Sequence, residues 1–265
     1  MRWFDCGVNL FSAQFADQET AIIAAANNAG VTRCLLISSD LAESKKNTQF
    51  SQQHPGCYCT AGVHPHQAAQ VADNWLSELT EQLANPKIVA IGECGLDFNR
   101  DFSPRAVQQA VFAEQLKLSQ HFKLPVYLHE RDAFSTQIAM LKEQPPLAGI
   151  AHCFTGNSQQ LKAYLDLGLY IGITGWLCDE RRGQELQQAL AYIPLDRLIL
   201  ETDAPYLIPR NIRPRPRCNS PALLPAIGSE VARLTGRSLQ QIAEQSYQNS
   251  CQLLQLPVEE PTDAN

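Results

Sequence analysis

Ile88-Val89-Ala90-Ile91-Gly92-Glu93-Cys94-Gly95-Leu96-Asp97-Phe98 is the stretch from which the rest of the chain can be read. Its β-branched, apolar opening is long enough for one buried strand, and it delivers a carboxylate, Glu93, into a glycine turn. Three more strand-like runs end in the same way: Pro125-Val126-Tyr127-Leu128-His129, Gly149-Ile150-Ala151-His152 and Arg197-Leu198-Ile199-Leu200-Glu201-Thr202-Asp203. Two carboxylates and two imidazoles thus stand at the far ends of four apolar runs.

Outward from this stretch, runs at residues 3–6, 33–37, 57–63 and 169–173 read as four further strands. Helical patterns lie between the strands at 21–26, 41–53, 73–83, 107–122, 133–142, 158–167 and 183–192, and two more follow at 222–234 and 239–254. Ser103 reads as the N-cap and Pro104 as the first-turn residue of the longest helix, along which Val107, Val111, Leu118 and Phe122 fall at helical spacing. Short strands alternating with helices over about 200 residues, without a linker, argue for one α/β domain, a TIM-type (β/α)8 barrel over 1–257. The acidic stretch 258–265 reads as a frayed, disordered tail. An open doubly wound sheet is the weaker choice. No Gly-x-Gly-x-x-Gly turn follows the first strand, and the polar candidates follow most strands instead of one switch point. In a barrel all strand ends meet on one face.

The chain has 265 residues, 45% of them hydrophobic and 18% charged, with a formal net charge of −6. That charge disfavours a protein that coats nucleic acid through a broad basic face. It leaves room for an enzyme that meets phosphates through metal ions and a few local arginines. No apolar run approaches the roughly 18 residues of a membrane span. Met1-Arg2-Trp3-Phe4-Asp5 meets an acid too early for a signal peptide. The nine cysteines include no Cys-x-x-Cys pair, and several fall in or beside expected strands, where free thiols pack as small hydrophobes. A reducing, cytoplasmic setting is expected, with no membrane contact and a monomeric state.

As a constellation, Glu93, His129, His152 and Asp203 suit one or two divalent metals. Taken singly, each has a plainer reading: a strand-end His is often just hydrogen-bonded, and an Asp before Ala-Pro is often a turn residue. Glu93 is the best bridge, because a carboxylate has two oxygens. Asp203 has the position to ligate and to take a proton from the attacking water. Of the pair around Pro65, His64 reads as a substrate-contacting or proton-handling group and His66 as its neighbour at the substrate. His54 and His121 read as solvated. Gly172 and Gly175 would let a ligand approach the backbone, and Trp176 beside them either stacks on a base or packs. Arg210, Arg213, Arg215 and Arg217, spaced by prolines, form either a phosphate-gripping rim or a solvated, stiffened loop, and Arg131 is a second phosphate clamp candidate.

Ala61-Gly62-Val63-His64-Pro65-His66, Gly92-Glu93-Cys94-Gly95-Leu96-Asp97, His152-Cys153-Phe154-Thr155-Gly156 and Glu201-Thr202-Asp203-Ala204-Pro205-Tyr206-Leu207 resemble the signature stretches of the TatD family of metal-dependent nucleases. The resemblance runs from Asp5 to about Leu254. It implies an amidohydrolase-like barrel and a magnesium-dependent 3′–5′ exonuclease of single-stranded DNA and RNA, linked to DNA repair. It also implies Glu93, His129, His152 and Asp203 as metal ligands, with His64 at the site. Much of the family opens with Asp-any-His-any-His. Here Asp5-Cys6-Gly7-Val8-Asn9 puts Gly7 and Asn9 where both imidazoles would be, a variant that one branch of the family shares. Fewer imidazoles and a larger share of oxygen ligands shift the expected ion from Zn toward Mg or Mn.

Two other functions fit the same barrel: a metal-dependent hydrolase of a small amide, lactone or phosphate ester, and a binding protein that has lost its metal. Glu93 stands where the first would often carry a modified lysine. The four intact ligand candidates argue against the second.

Overall fold

The computed structural model describes residues 1–258. Eight parallel strands form one sheet in the order β1 to β8: Trp3–Val8, Val31–Leu36, Cys57–Ala61, Ile88–Asp97, Val126–Arg131, Gly149–Ala151, Tyr170–Ile173 and Leu198–Leu200. The sheet curls round until its outer strands meet. Val8 bridges Ala204 in parallel, Asn9 N donates to Ala204 O at 2.8 Å, and Asp203 N donates to Gly7 O at 2.8 Å. The first seven helices, α1 (Glu19–Asn28), α2 (Leu41–Gln53), α3 (Trp75–Gln82), α4 (Arg105–Phe122), α5 (Phe134–Glu143), α6 (Ser158–Asp166) and α7 (Gln184–Leu190), each follow a strand. Two more, α8 (Leu224–Thr235) and α9 (Leu239–Leu253), come after β8.

The period-two alternation of the strands sorts their side chains into two cores. Phe4, Leu35, Tyr127, Ile150 and Ile199 fill the barrel interior together with Tyr247, Cys251 and Leu254 from α9 and the residue after it. Their neighbours Trp3, Leu36, Leu128, Ile171 and Leu200 face outward and pack with helical residues such as Phe112, Leu116 and Ile227. The interior is therefore packed, and the open end of the barrel lies at the strands' C-termini.

Three sequence expectations are corrected. Glu93 does not end its strand, for β4 continues to Asp97. The glycines around it admit β5: a Cβ on Gly92 would lie 2.4 Å from Tyr127 O, and one on Gly95 2.0 Å from His129 O. Ser103 does not cap α4, which begins after Pro104. Its hydroxyl accepts from Ala69 N at 2.9 Å and donates to His66 O at 3.1 Å, tying the loop after β3 to the start of α4. The first strand does not end at residue 6 but runs on through Gly7 and Val8, because the bonds to residues 203 and 204 extend it. The expected acidic tail lies outside the described residues from 259 onward.

Candidate metal centre

Tyr127, Ile150 and Ile199 fill the barrel interior, and the second residue on from each shares its side of the chain. His129, His152 and Glu201 reach the mouth of the barrel in this way, with Asp203 two residues further. Glu93 arrives through a slip in the β4/β5 register between Ile91 and Cys94.

The donors gather on one oxygen. Glu93 Oε1 lies 2.7 Å from His129 Nδ1, 3.6 Å from His64 Nε2 and 3.9 Å from His152 Nε2. His152 Nε2 is in turn 3.9 Å from Asp203 Oδ1. Two atoms bound to one ion at about 2.0–2.2 Å each stand no more than about 4.4 Å apart. Each successive pair in the series His129, Glu93, His152, Asp203 meets that limit.

The far side of each imidazole is held by a buried carboxylate. His129 Nε2 donates to Asp97 Oδ2 at 3.3 Å. His152 Nδ1 donates into the Glu201 carboxylate, while Tyr127 Oη lies 2.5 Å from the same nitrogen and donates to Glu201 Oε2 at 2.9 Å. Metal-binding histidines are oriented in this manner, the distal nitrogen fixed by an acid and the proximal one aimed inward. The donors therefore suit one or two divalent cations: they fall into two groups, one of His64, Glu93 and His129 and the other of His152, Cys153 and Asp203, joined by the 3.9 Å approach of His152 to Glu93. Cys153 lies close to His152 and Asp203, and burial keeps its thiol well above the ordinary range in the ion-free protein.

Sequence reasoning missed Asp97, Tyr127, Glu201 and Asn9. Glu201 is fully buried, and two glycines make its room. A Cβ on Gly7 would come within 2.7 Å of Tyr127 Oη and 3.0 Å of Glu201 Oε2, and one on Gly172 within 1.5 Å of Glu201 Oε1. What approaches Gly172 is thus a side chain of the protein, and what approaches Gly175 is Leu207 O, where a Cβ would stand 2.1 Å away. Asn9 donates through Nδ2 to Asp203 Oδ1 at 2.8 Å. Asp5 accepts from Thr202 N at 2.8 Å and from Thr202 Oγ1 at 2.5 Å, clamping β1 to the segment that carries Asp203. The available signal was Glu201 itself, two residues before Asp203 and on the same face of the chain.

The electrostatics follow from burial and neighbours. Burial disfavours the charged form of Glu93, but His64, His129 and His152 outweigh it and hold its carboxyl well below the usual range. Burial opposes protonation of His129 and His152 as well. Asp97 and Glu93 nonetheless raise the first to about 9, and Glu201 leads in raising the second to about 10. Burial pushes Asp203 up to about 6 against the opposing effect of His152. Burial, with His129 beside it, lowers His64 to about 3, so its ring is neutral at pH 7. His64 Nδ1 accepts from His66 N at 3.1 Å, which leaves the ring proton on Nε2, facing Glu93.

Of the remaining candidates, His66 borders the cluster, its ring 4.3 Å from that of His64, while Arg131, Trp176 and Arg210 lie apart from it. His66 Nε2 is 2.6 Å from Asp97 Oδ2 and its ring packs on Phe102, so that nitrogen is already engaged. His54 stacks on Phe50. Arg131 is exposed at the end of β5, in register with Asp97. Trp176 is half-buried with the Arg182 guanidinium 4.3 Å over its ring, and Arg210 Nε reaches the buried Asp179 at 3.0 Å. Among the described residues, no hydrogen bond or ion pair joins Arg131, Trp176 or Arg210 to the four donors.

A family model described as TatD related DNase matches residues 4–255. The chain belongs to that family. A protein of Pantoea vagans, named a 3′–5′ single-stranded DNA/RNA exonuclease, is 46% identical over 258 residues, covering 96% of this chain and 99% of its own. A solved TatD homologue from Escherichia coli K12 superposes with a TM-score of 0.89 at 28% identity, over 97% of this chain and 99% of that one. A mutant organophosphorus hydrolase from Deinococcus radiodurans gives a TM-score of 0.64 at 15% identity, over 95% and 92%, and shares the fold alone.

Proposed function

We propose that this chain is a metal-dependent 3′–5′ exonuclease of single-stranded DNA and RNA. The observation that carries the proposal is the convergence of His129, His152 and Asp203 with Glu93, both imidazoles being backed by buried acids, in a member of a DNase family. The relative named above, whose length this chain nearly matches, supports the end polarity and the single-stranded substrate.

Glu93, His129, His152 and Asp203 would hold one or two divalent ions, with Mg or Mn favoured over Zn because Gly7 and Asn9 offer no imidazole. A divalent ion held there supplies Lewis acidity toward a phosphoryl oxygen and toward water. The other roles fall to the chain itself. Asp203, raised to about 6 and steadied by Asn9, accepts the proton of the attacking water. His64 presents Nε2–H to the charge that builds on the phosphate, and Arg131 and His66 meet the strand at the β4/β5 side of the mouth. The free thiols agree with a reducing cytoplasm, in which trimming of damaged ends would serve DNA repair.

Glu93→Ala should abolish nuclease turnover while leaving the circular dichroism spectrum unchanged. A folded Glu93→Ala protein that digests oligonucleotides at the wild-type rate would sink the proposal.

A further inference from the structure

The chain carries an acidic net charge, yet its arginines are not spread evenly. Two adjoining depressions of about 730 and 310 Å³, which share Asp179, Arg210 and Arg215, form one groove beside the β7 and β8 ends. Seven of the chain's 14 arginines line it, against three carboxylates and no lysine. A lysine would serve as well for general solubility. Arginine, with its planar fork of donors, is the residue suited to phosphate.

The groove is built on a buried anchor. Asp179, only 2% exposed, anchors Arg182 at 2.8 Å and Arg210 at 3.0 Å, and the Arg182 guanidinium sits over the Trp176 ring. The arginine loop leaves the barrel just past Asp203 and is brought back by the buried Asn219, whose Nδ2 donates to Thr202 O at 2.8 Å and to Tyr206 O at 2.5 Å. Arg213 is spent on the loop itself, donating to Arg210 O and Ile212 O. Arg181, Arg215 and Arg217 are exposed, and among the described residues their side chains have no hydrogen bond or ion pair. The inner end of the groove is walled by Trp176, Tyr206 and Leu207, the residues that follow β7 and Asp203.

We infer that this groove holds the sugar-phosphate backbone of the single strand behind its reacting 3′ end. Arg181, Arg215 and Arg217 pair with successive phosphates, and the Arg182–Trp176 stack offers a flat platform for a base. The inference rests on the exonuclease reading for the direction of the strand, but binding in the groove does not require catalysis.

The test is fluorescence anisotropy in chelator with the full chain, using a labelled 20-nucleotide oligothymidylate and competing thymidine monophosphate. The wild type and Glu93→Ala should bind the 20-mer alike, far more tightly than the mononucleotide, with affinity falling steeply with salt. Arg215→Glu/Arg217→Glu, at two exposed positions, should bind at least about tenfold more weakly and show a salt slope shallower by about 1.4. Equal affinity and slope in the double variant would overturn the inference, whatever the nuclease assay gives. So would a mononucleotide that competes as well as the strand, which would make the groove a site for free nucleotide. A wild-type protein that binds the 20-mer in this way yet cuts no oligonucleotide with any divalent ion would strike the catalytic reading and leave the groove intact.

Discussion

At the scale of single residues, the decisive pairs are Glu201 with His152 and Asp97 with His129. Neither acid faces an open ligand position, so their contribution is to fix which nitrogen each imidazole presents. Glu201→Gln keeps the shape but loses the anion, and should weaken Mg or Mn binding by roughly 10- to 100-fold, read by titration calorimetry. Metal affinity equal to the wild type would remove Glu201 from the account. Asn9 shows why a motif can mislead. By family pattern it looks like a lost ligand, whereas here its amide holds the Asp203 carboxylate at 2.8 Å. Asn9→Ala should therefore lower the turnover rate more than it raises KM for an oligonucleotide, since it frees the group that takes the proton. A change confined to KM would contradict that role.

At the scale of elements, β4 decides most. Gly95 has φ of 135° and a Cβ there would stand 2.0 Å from His129 O, on the strand that carries a proposed ligand. Gly95→Ala should cost at least about 2 kcal/mol of stability, measured by urea unfolding, and should lower metal affinity with it. An unfolding midpoint indistinguishable from the wild type would show that β4 and β5 are not so closely packed. The same strand marks where the sequence could be read and where it could not. Apolar runs ending in Glu93, His129, His152 and Asp203 were visible because strand ends in a barrel share one face. Helix α2 was legible to its bounds, since Asp40 caps it and polar residues fill it. Glycine, however, signals a turn and a close approach with the same letter, so β4 appeared to stop at Glu93 when it runs to Asp97. Ser103 likewise has the spacing of a cap, but its hydroxyl is taken by residues 66 and 69, a contact 34 or more positions away that no local pattern carries. Asp97 and Glu201 were missed for the same reason: their partners lie on other strands.

At the scale of the whole molecule, the mouth of the barrel concentrates buried charge that the ion-free protein balances with protons. His129 and His152, raised to about 9 and about 10, both hold protons at pH 7, and the ion must displace them. Apparent metal affinity should rise with pH from 6 to about 9, with proton release visible in buffers of different ionisation enthalpy. The ion-free protein should show the opposite trend. Raised histidine values contribute stability that is full below the unfolded value near 6.5 and is lost as pH climbs through the folded values, so its melting temperature should fall between pH 7 and 10. Metal affinity that stays flat over this range would mean that the two imidazoles are not the groups displaced.

The most direct measurement is digestion of a 5′-labelled single-stranded oligonucleotide, with Mg and with chelator, beside Asp203→Asn. A ladder that shortens one nucleotide at a time from the unlabelled end, present with Mg and absent with chelator or in the variant, is the expected result. An oligonucleotide left intact by the wild type under every divalent ion, or cut equally well by Asp203→Asn, would contradict the account.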